Sequence, residues 1–167
     1  MMNLKKSISF IGMAGCGKTT IGRLFAKKHR VSFIDTDHLI EKRLKKSLQD
    51  IKDEKGYMYL REIEQEIVLA INASTKIIST GGSVIYSDQA ITHLKKISSV
   101  IFIDTPYKLI KKRIGNASNR GFSVPNGFSV KEAFDERMPM YQQHQDFTVN
   151  GANSADYIIK SIEEQWI

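Results

Sequence analysis

A glycine-rich segment near the N-terminus constrains the fold of this chain more than any other feature. Residues 12–19, GMAGCGKT, fit the pattern G-x-x-x-x-G-K-[ST]. The segment follows an apolar run at 7–11, which predicts a strand, and precedes apolar residues at helical spacing, Ile21, Leu24 and Phe25. This order predicts a loop whose backbone N–H groups surround phosphate oxygens, because the following helix directs its positive end at the same anion.

The glycine-rich loop predicts a nucleotide site for ATP. Lys18 is expected to contact the β and γ phosphates, and the Thr19 hydroxyl is expected to bind Mg²⁺. The single cysteine, Cys16, is interpreted as a small filler in the loop, because one thiol forms no internal disulfide. The predicted ATP-binding positions in this segment are Gly12, Ala14, Gly15, Cys16, Gly17, Lys18, Thr19 and Thr20.

Short apolar runs alternate with helical patterns along the rest of the chain. Further strands are predicted at 31–35, 76–80, 100–103 and 146–149, with helices between them. The run at 100–103 is apolar throughout, as expected where helices cover both faces of a parallel sheet. The alternation predicts a three-layer α/β fold around a central parallel sheet of about five strands.

Local signals predict how two of the later helices begin and end. Thr105 is expected to be the N-cap of one helix, with Pro106 at its first helical position. A second helix is expected to begin at the capping box formed by Ser129 and Glu132. Pro139 is expected to end or distort that helix, because proline has no backbone N–H to donate.

The length of 167 residues predicts one domain over 1–167, since single domains run to about 100–200 residues. A polar stretch at 38–59 predicts a substrate-binding insertion at about 36–66, and a loop rich in glycine and asparagine predicts a mobile lid at about 115–128. Hydrophobic residues at 41% and charged residues at 26% exclude long disorder. The lone thiol and the lack of a long apolar run predict a cytoplasmic protein that spans no membrane.

Carboxylates after the second predicted strand are candidates for the substrate side. Asp35 and Asp37 follow that strand, and ligands of open α/β sheets gather at the carboxyl ends of strands. One carboxylate is expected to reach the water shell of Mg²⁺ and the other to orient an acceptor hydroxyl. Without the phosphate loop, the same residues would indicate only a strand end, with Asp37 capping a helix at His38.

Other charged and glycine positions allow two interpretations each. Arg61 and Glu64 are three residues apart, a spacing typical of an exposed pair on a helix. Arg137, taken alone, is typical of an exposed helix charge. Gly81 and Gly82 indicate either a plain turn or a place where backbone amides approach a substrate closely.

Taken in order, these motifs resemble those of the shikimate kinase family, small P-loop kinases that phosphorylate the 3-hydroxyl of shikimate with ATP. The resemblance extends over nearly the whole chain. After the phosphate loop, DTD at 35–37 is similar to D-[ST]-D, and LREIE at 60–64 to F-R-x-x-E with leucine for the aromatic residue. STGGS at 79–83 resembles a triple-glycine turn with Ser83 for the third glycine, Arg113 and Arg120 resemble a pair of arginines across the lid, and RMPMY at 137–141 resembles R-x-P-L-Y.

The resemblance implies roles on the acceptor side of the site. Asp35 would help to hold Mg²⁺ through water, and Asp37 would bind and orient the acceptor hydroxyl as a candidate base. Arg61 and Arg137 would bind the substrate carboxylate together with the amides of Gly81 and Gly82.

The resemblance implies roles around the nucleotide as well. Arg113 would stack on adenine, and Asn153, in the loop at 150–154, would lie at the edge of the adenine site. Arg120 would move with the lid to contact the transferring phosphate. The implied substrates are ATP and a hydroxylated carboxylic acid, with a monomer expected.

Three positions depart from the family pattern. The lid reads RGFS at 120–123 where the family has R-P-L-L, so we expect slower lid closure, because glycine leaves the backbone free where proline would restrict it. Ser83 adds a side chain and Leu60 removes an aromatic wall on the acceptor side. The ATP side matches without departure.

Two other functions stay open at this point. The first is a related P-loop kinase for another small hydroxylated acid, such as gluconate, or for a nucleotide. The second is a catalytically weakened nucleotide-binding homologue or a nucleic-acid binder, suggested by the net charge of +7 and the basic runs at 27–30, 42–46 and 111–113. Nucleic acid is not expected, because the aromatic residues do not interleave with these runs.

Overall fold

A five-stranded sheet, counted over the residues that the structure describes, forms the centre of the molecule. The computed structural model describes residues 6–72, 74, 76–115 and 122–166. The strands lie side by side in the order β2-β3-β1-β4-β5, and each neighbouring pair is parallel. They are β1 (Ser7–Ile11), β2 (Phe33–Asp35), β3 (Ile77–Ser79), β4 (Ser98–Asp104) and β5 (Phe147–Asn150).

Helices cover the sheet on both faces, which confirms the predicted α/β architecture. Every residue of β1 is buried, including Ser9, whose hydroxyl lies 2.6 Å from that of Ser98. A strand buried at both alternating sets of positions requires cover on both sides. Apart from the segment between β2 and β3, the helices that connect the strands or follow the last of them are α1 (Lys18–His29), α5 (Asp88–Ile97), α6 (Tyr107–Ile114), α7 (Val130–His144) and α8 (Ala155–Trp166).

The polar segment after β2 folds into helices of its own. These are α2 (Thr36–Leu44), α3 (Leu48–Lys55) and α4 (Tyr57–Ala70). They enclose a small apolar cluster, separate from the main core, made by Ile40, Ile51, Leu60, Ile63 and Ile67. The predicted insertion therefore has a core that can hold its shape beside the carboxyl edge of the sheet.

The start of α2 corrects one interpretation of the acidic pair. Asp35 is the N-cap, and its Oδ1 accepts a hydrogen bond from the backbone N–H of His38 at 3.3 Å. Asp37 lies within the first turn of α2 and does not cap it. Its carboxylate is consequently available for another role.

The structure differs from two expectations about helix ends: Pro139 does not end its helix, although the alternative of a distortion there stays a prediction, and Thr105 is not an N-cap. Pro139 lies inside α7 (Val130–His144), and the helix continues for five residues beyond it. The carbonyl that loses its partner there belongs to Asp135, an exposed residue, so water can replace the missing bond. The helix α6 begins at Tyr107 with Pro106 as N-cap, because the Thr105 hydroxyl instead donates to the carbonyl of Cys16 at 3.0 Å.

Membrane-spanning helices are absent from the described part of the chain, since none of its helices is both long and apolar enough.

A short 3₁₀ helix, Val84–Tyr86, joins the turn after β3 to α5.

The capping box at the start of α7 leads to a stability prediction. The Ser129 hydroxyl accepts from the N–H of Glu132 at 3.1 Å, and the Glu132 carboxylate accepts from the N–H of Ser129 at 2.8 Å. We expect Ser129→Ala to lower the free energy of unfolding by about 1 kcal/mol, measured by chemical denaturation. The control Gln142→Ala, at an exposed position of the same helix, should change it by less than about 0.5 kcal/mol; equal losses would contradict the capping role.

Candidate active site

The phosphate loop connects β1 to α1 and has the backbone that its glycines predict. Gly15 and Gly17 have φ angles of +80° and +113°, in the region that side chains with a Cβ rarely adopt. Gly17 is the N-cap of α1, so the helix begins at Lys18, directly after the loop. This geometry directs unpaired backbone N–H groups and the positive end of α1 toward one space, which suits a phosphate anion.

Lys18 is buried at the centre of this loop. Its ammonium donates to the carbonyls of Gly12 at 2.7 Å and Met13 at 3.0 Å. A buried ammonium needs such acceptors because its charge has left water. The loop thus holds the Lys18 charge beside the space that the phosphates would occupy.

A cavity of about 680 Å³ extends from the loop toward the turn after β5. Arg113, near the end of α6, joins its two sides, donating to the carbonyls of Gly15 and Cys16 at 3.3 and 3.2 Å and to that of Gly151 at 3.2 Å. The cavity is large enough for a nucleotide. The predicted ATP-binding residues that line it are Ala14, Gly15, Cys16, Gly17, Lys18, Thr19, Thr20, Arg113 and Asn153, while Gly12 lies outside the lining.

Oxygen atoms gather beside the first turn of α1. The Thr19 hydroxyl donates to the Asp35 carboxylate at 2.6 Å, and the hydroxyl of Ser79 lies 3.4 Å from that of Thr19. Hydroxyl and carboxylate oxygens are donors that Mg²⁺ accepts, and Mg²⁺ usually keeps several waters. The described residues contain no cluster of three or more His, Cys, Asp or Glu side chains that could hold a metal alone. The donor set therefore fits an ion that is completed by water and phosphate.

Two carboxyl groups converge beside Gly81, where the chain leaves β3. A Cβ atom at Gly81 would lie 2.7 Å from Asp37 Oδ1 and would also collide with the carboxylate of Glu64. Burial raises the pKa of Asp37 to about 7, and the nearby carboxylates of Glu64 and Asp35 add to the shift. Asp37 therefore changes charge near neutral pH, as a proton acceptor in catalysis must.

Glu64 lines a small pocket beside Gly81, which we call the acceptor pocket. It is 3% exposed, and one of its oxygens, Oε2, accepts from the Ser83 hydroxyl at 2.5 Å. Burial raises the pKa of Glu64, and the bond from Ser83 partly opposes that rise. The other oxygen, Oε1, is buried without a hydrogen-bond partner among the described residues. A buried acceptor left open in a pocket suits a donor from a ligand.

Arg61 and Arg137 converge on one backbone oxygen. The carbonyl of Ser123 accepts from Arg61 Nη2 at 3.1 Å and from Arg137 Nη2 at 2.8 Å. Arg61 Nε also donates to the Ser123 hydroxyl at 3.3 Å. Two guanidinium groups directed at one acceptor are the arrangement that binds a carboxylate. The interpretation of these residues as exposed charges is wrong, since Arg137 is 1% exposed and Glu64 bonds Ser83 in a buried site.

The acceptor pocket is small in this conformation. Its volume is about 50 Å³, room for one or two water molecules, and Phe122 and Ser123 close one side of it. Gly81, Gly82 and Leu60 line the pocket, and Asp37 lines both this pocket and the large cavity. The predicted lid residue Arg120 lies outside the described residues.

Four residues of the site were not predicted as such from the sequence. Ser79 was quoted only as the first residue of the STGGS motif, without a role. Tyr86, whose ring centre lies 3.7 Å from the guanidinium carbon of Arg61, is in none of the motifs. Ser123 contributes mainly a backbone carbonyl, which any residue would supply. Glu64 was identified through its spacing from Arg61 and as the last residue of the LREIE motif, in neither case with a role of its own. A polar residue at the buried position of a helical pattern is the one signal that could have revealed it.

Comparisons with known proteins agree with this geometry. The family model described as shikimate kinase matches residues 14–166. Shikimate kinase from Dictyoglomus turgidum is 33% identical over 155 residues, covering 90% of each chain. Shikimate kinase from Persephonella marina is 32% identical over 139 residues, covering 83% of this chain and 85% of that one. The solved structure of shikimate kinase from Acinetobacter baumannii in complex with shikimate has a TM-score of 0.84 and 26% identity, covering 96% of this chain and 92% of that one.

The raised pKa of Asp37 leads to a prediction about stability and pH. The folded protein holds the Asp37 proton up to a pH of about 7, whereas the ordinary value is 3.8. The contribution of Asp37 to stability should therefore fall as pH rises from about 4 to about 7, and Asp37→Asn should remove this contribution. We expect the variant to be more stable than the wild type at pH 8, by at least about 1 kcal/mol, and the two to be nearly equal at pH 4 in denaturant titrations.

The matched control for that measurement is Asp53→Asn, which changes an exposed aspartate of the same insertion. It should track the wild type within about 0.5 kcal/mol at both pH values. An Asp37→Asn variant whose stability advantage does not grow with pH would show that the carboxyl is not held protonated by the fold.

Proposed function

This chain belongs to the shikimate kinase family, and we propose that it transfers the γ-phosphoryl group of ATP to the 3-hydroxyl of shikimate, giving shikimate 3-phosphate and ADP. The observation that carries the proposal is the position of Asp37. Its carboxylate lines both the cavity of the phosphate loop and the small pocket that Arg137 and Ser123 also line. The Ser123 carbonyl beside this pocket accepts from both Arg61 and Arg137. A donor phosphate and an acid bound in these two spaces would meet at Asp37.

The phosphate loop supports ATP as the donor. The backbone N–H groups of the loop and the start of α1 would accept the phosphates, and Lys18 would exchange the carbonyls of Gly12 and Met13 for phosphate oxygens. Arg113 and Asn153 would contact the base at the far end of the cavity. Positioning of this kind accounts for most of the catalysis in phosphoryl transfer.

We propose Thr19 and Asp35 as the residues that hold Mg²⁺, with Ser79 beside them. When bound, the ion neutralises charge on the phosphates during transfer. Thr19 would release its hydrogen bond to Asp35, which leaves that carboxylate free to accept from the water shell of the ion.

The acid would bind by replacing a contact that the protein makes with itself. Its carboxylate would take the place of the Ser123 carbonyl between Arg61 and Arg137. The open oxygen of Glu64 would accept a hydrogen bond from a hydroxyl on the ring. These contacts would direct a second hydroxyl toward Asp37.

Asp37 would then act as the general base. It would take the proton of the 3-hydroxyl while that oxygen forms a bond to the γ phosphorus and the bond from phosphorus to the oxygen of ADP breaks. A carboxyl with a pKa of about 7 is well suited to this step at neutral pH.

We propose that residues 1–167 work as one domain with a substrate-binding insertion at about 36–66 and a mobile lid at about 115–128. Ser123 belongs to this lid and contacts both arginines, so acid binding and lid position would be linked. Arg120 is proposed to reach the transferring phosphate when the lid excludes water. A cytoplasmic location and a monomeric state stay predictions from the sequence.

A coupled assay of ADP release tests the proposed acceptor. We expect shikimate with ATP and Mg²⁺ to release ADP well above the background of ATP alone. Gluconate and nucleoside monophosphates, tested at equal concentration, should stay at background. ADP release with one of those acceptors and none with shikimate would contradict the proposal.

The arginine pair leads to a separate prediction. We expect Arg137→Lys to raise the KM for shikimate about 10- to 100-fold, because an ammonium cannot reproduce the planar fork of charge-assisted hydrogen bonds. The KM for ATP should change less than about twofold. The control Arg43→Lys, in an exposed ion pair with Glu66, should leave both constants unchanged. A rise in both KM values for Arg137→Lys would argue against a role specific to the acid.

A further inference from the structure

Tyr86, the last residue of the 3₁₀ helix after Gly82, lies against both arginines of the acceptor pocket. The guanidinium carbon of Arg61 is 3.7 Å from the centre of its ring, and that of Arg137 is 5.3 Å away. Arg137 Nε donates to the Tyr86 hydroxyl at 3.4 Å. That hydroxyl donates in turn to Glu136 Oε1 at 2.5 Å. One side chain thereby contacts both positive groups and an acidic residue.

The two guanidinium groups need such a neighbour because they repel each other. Burial and the charge of Arg137 both lower the pKa of Arg61, so its positive form is disfavoured where it lies. The face of an aromatic ring attracts a cation and offsets part of that cost. The Tyr86 hydroxyl links Arg137 to Glu136, which adds a negative charge to the group.

The space behind Arg61 shows what the ring prevents. A cavity of about 190 Å³ lies there, lined among others by Met58, Gln65 and Tyr86 itself. Without the ring this cavity would be larger, and the Arg61 side chain would have room to turn away from Ser123. The ring therefore limits Arg61 to the orientation in which it shares an acceptor with Arg137.

We propose that Tyr86 is a positioning residue for acid binding, which keeps the guanidinium groups of Arg61 and Arg137 directed at one point. The inference rests on the proposed function and adds to it a residue that none of the motifs contains. The face of the Tyr86 ring contacts the guanidinium of Arg61, and the Tyr86 hydroxyl accepts a hydrogen bond from Arg137 Nε. Tyr86 does not line the acceptor pocket itself. Loss of its ring or hydroxyl should therefore weaken binding of the acid and leave the phosphoryl-transfer step intact.

The experiment compares Tyr86→Met, which keeps a long apolar side chain but removes both the ring and the hydroxyl, with Tyr86→Phe, which removes only the hydroxyl. We expect Tyr86→Met to raise the KM for shikimate about 5- to 30-fold, the range that a partly buried cation–ring contact supplies. Tyr86→Phe should raise it about two- to fourfold, as expected for one modest hydrogen bond. The KM for ATP and kcat should stay within about twofold of the wild type for both.

The matched control is Tyr107→Met, which changes a part-buried tyrosine that packs on Phe134 at the start of α6. It should leave the KM for shikimate unchanged. An unchanged KM for shikimate in Tyr86→Met, or equal changes in kcat and in both KM values, would overturn the inference. If Tyr86→Met does not fold, Tyr86→Phe decides the matter, and a KM for shikimate equal to that of the wild type overturns it.

Failure of the inference and failure of the proposed function give different results. A wild-type protein that neither binds nor phosphorylates shikimate contradicts the proposed function, and the inference falls with it. A wild type that phosphorylates shikimate, with Tyr86 variants that bind it equally well, contradicts the inference alone.

Discussion

The burial of Arg137 determines much of the architecture around the acceptor pocket. A guanidinium that is 1% exposed must find acceptors or aromatic faces within the protein, because its charge has left water. The Ser123 carbonyl, the Tyr86 hydroxyl and the nearby carboxylate of Glu64 supply this environment. Each comes from a different part of the chain, so the arginine draws together the lid, the segment after β3 and the insertion.

The parallel sheet brings these parts to one place. The phosphate loop follows β1, Asp35 ends β2, and Gly81 follows β3, so three neighbouring strands deliver their functional groups to the same edge. The insertion then closes this edge with helices that have their own apolar cluster. A sheet edge with a separately packed insertion beside it offers two adjoining spaces, the phosphate-loop cavity and the small pocket, with Asp37 lining both.

The sequence predicted the order of the five strands and many of the residues near the site, but it did not predict the helices α2 and α3 within the polar insertion. The phosphate loop, the acidic pair and the glycine turn are local patterns, so their spacing alone indicates where each lies relative to a strand. The continuation of α7 beyond Pro139 could not be predicted, because it depends on the solvent exposure of the carbonyl that loses its partner. The start of α6 could not be predicted either, because the Thr105 hydroxyl bonds the distant carbonyl of Cys16.

Residues that act through distant contacts were hidden for the same reason. The place of Glu64 in the site depends on its burial against Ser83 and Gly81. The place of Tyr86 depends on its contacts with two arginines, which come from α4 and α7. No short window of sequence contains both partners of such a contact. The lid arginine Arg120 and the departures around it stay predictions, since that residue lies outside the described part of the chain.

The contact of both arginines with the Ser123 carbonyl has a consequence for affinity. If the acid binds between Arg61 and Arg137 as proposed, the Ser123 carbonyl competes with it for the same hydrogen-bond donors, so only molecules in which this contact is open would be ready to bind. The measured dissociation constant then equals the intrinsic one divided by the fraction of open molecules. Weak affinity for the free acid would in that case reflect the strength of the hydrogen bonds from Arg61 and Arg137 to the Ser123 carbonyl. Any change that weakens these bonds would then tighten acid binding without adding a contact to the acid.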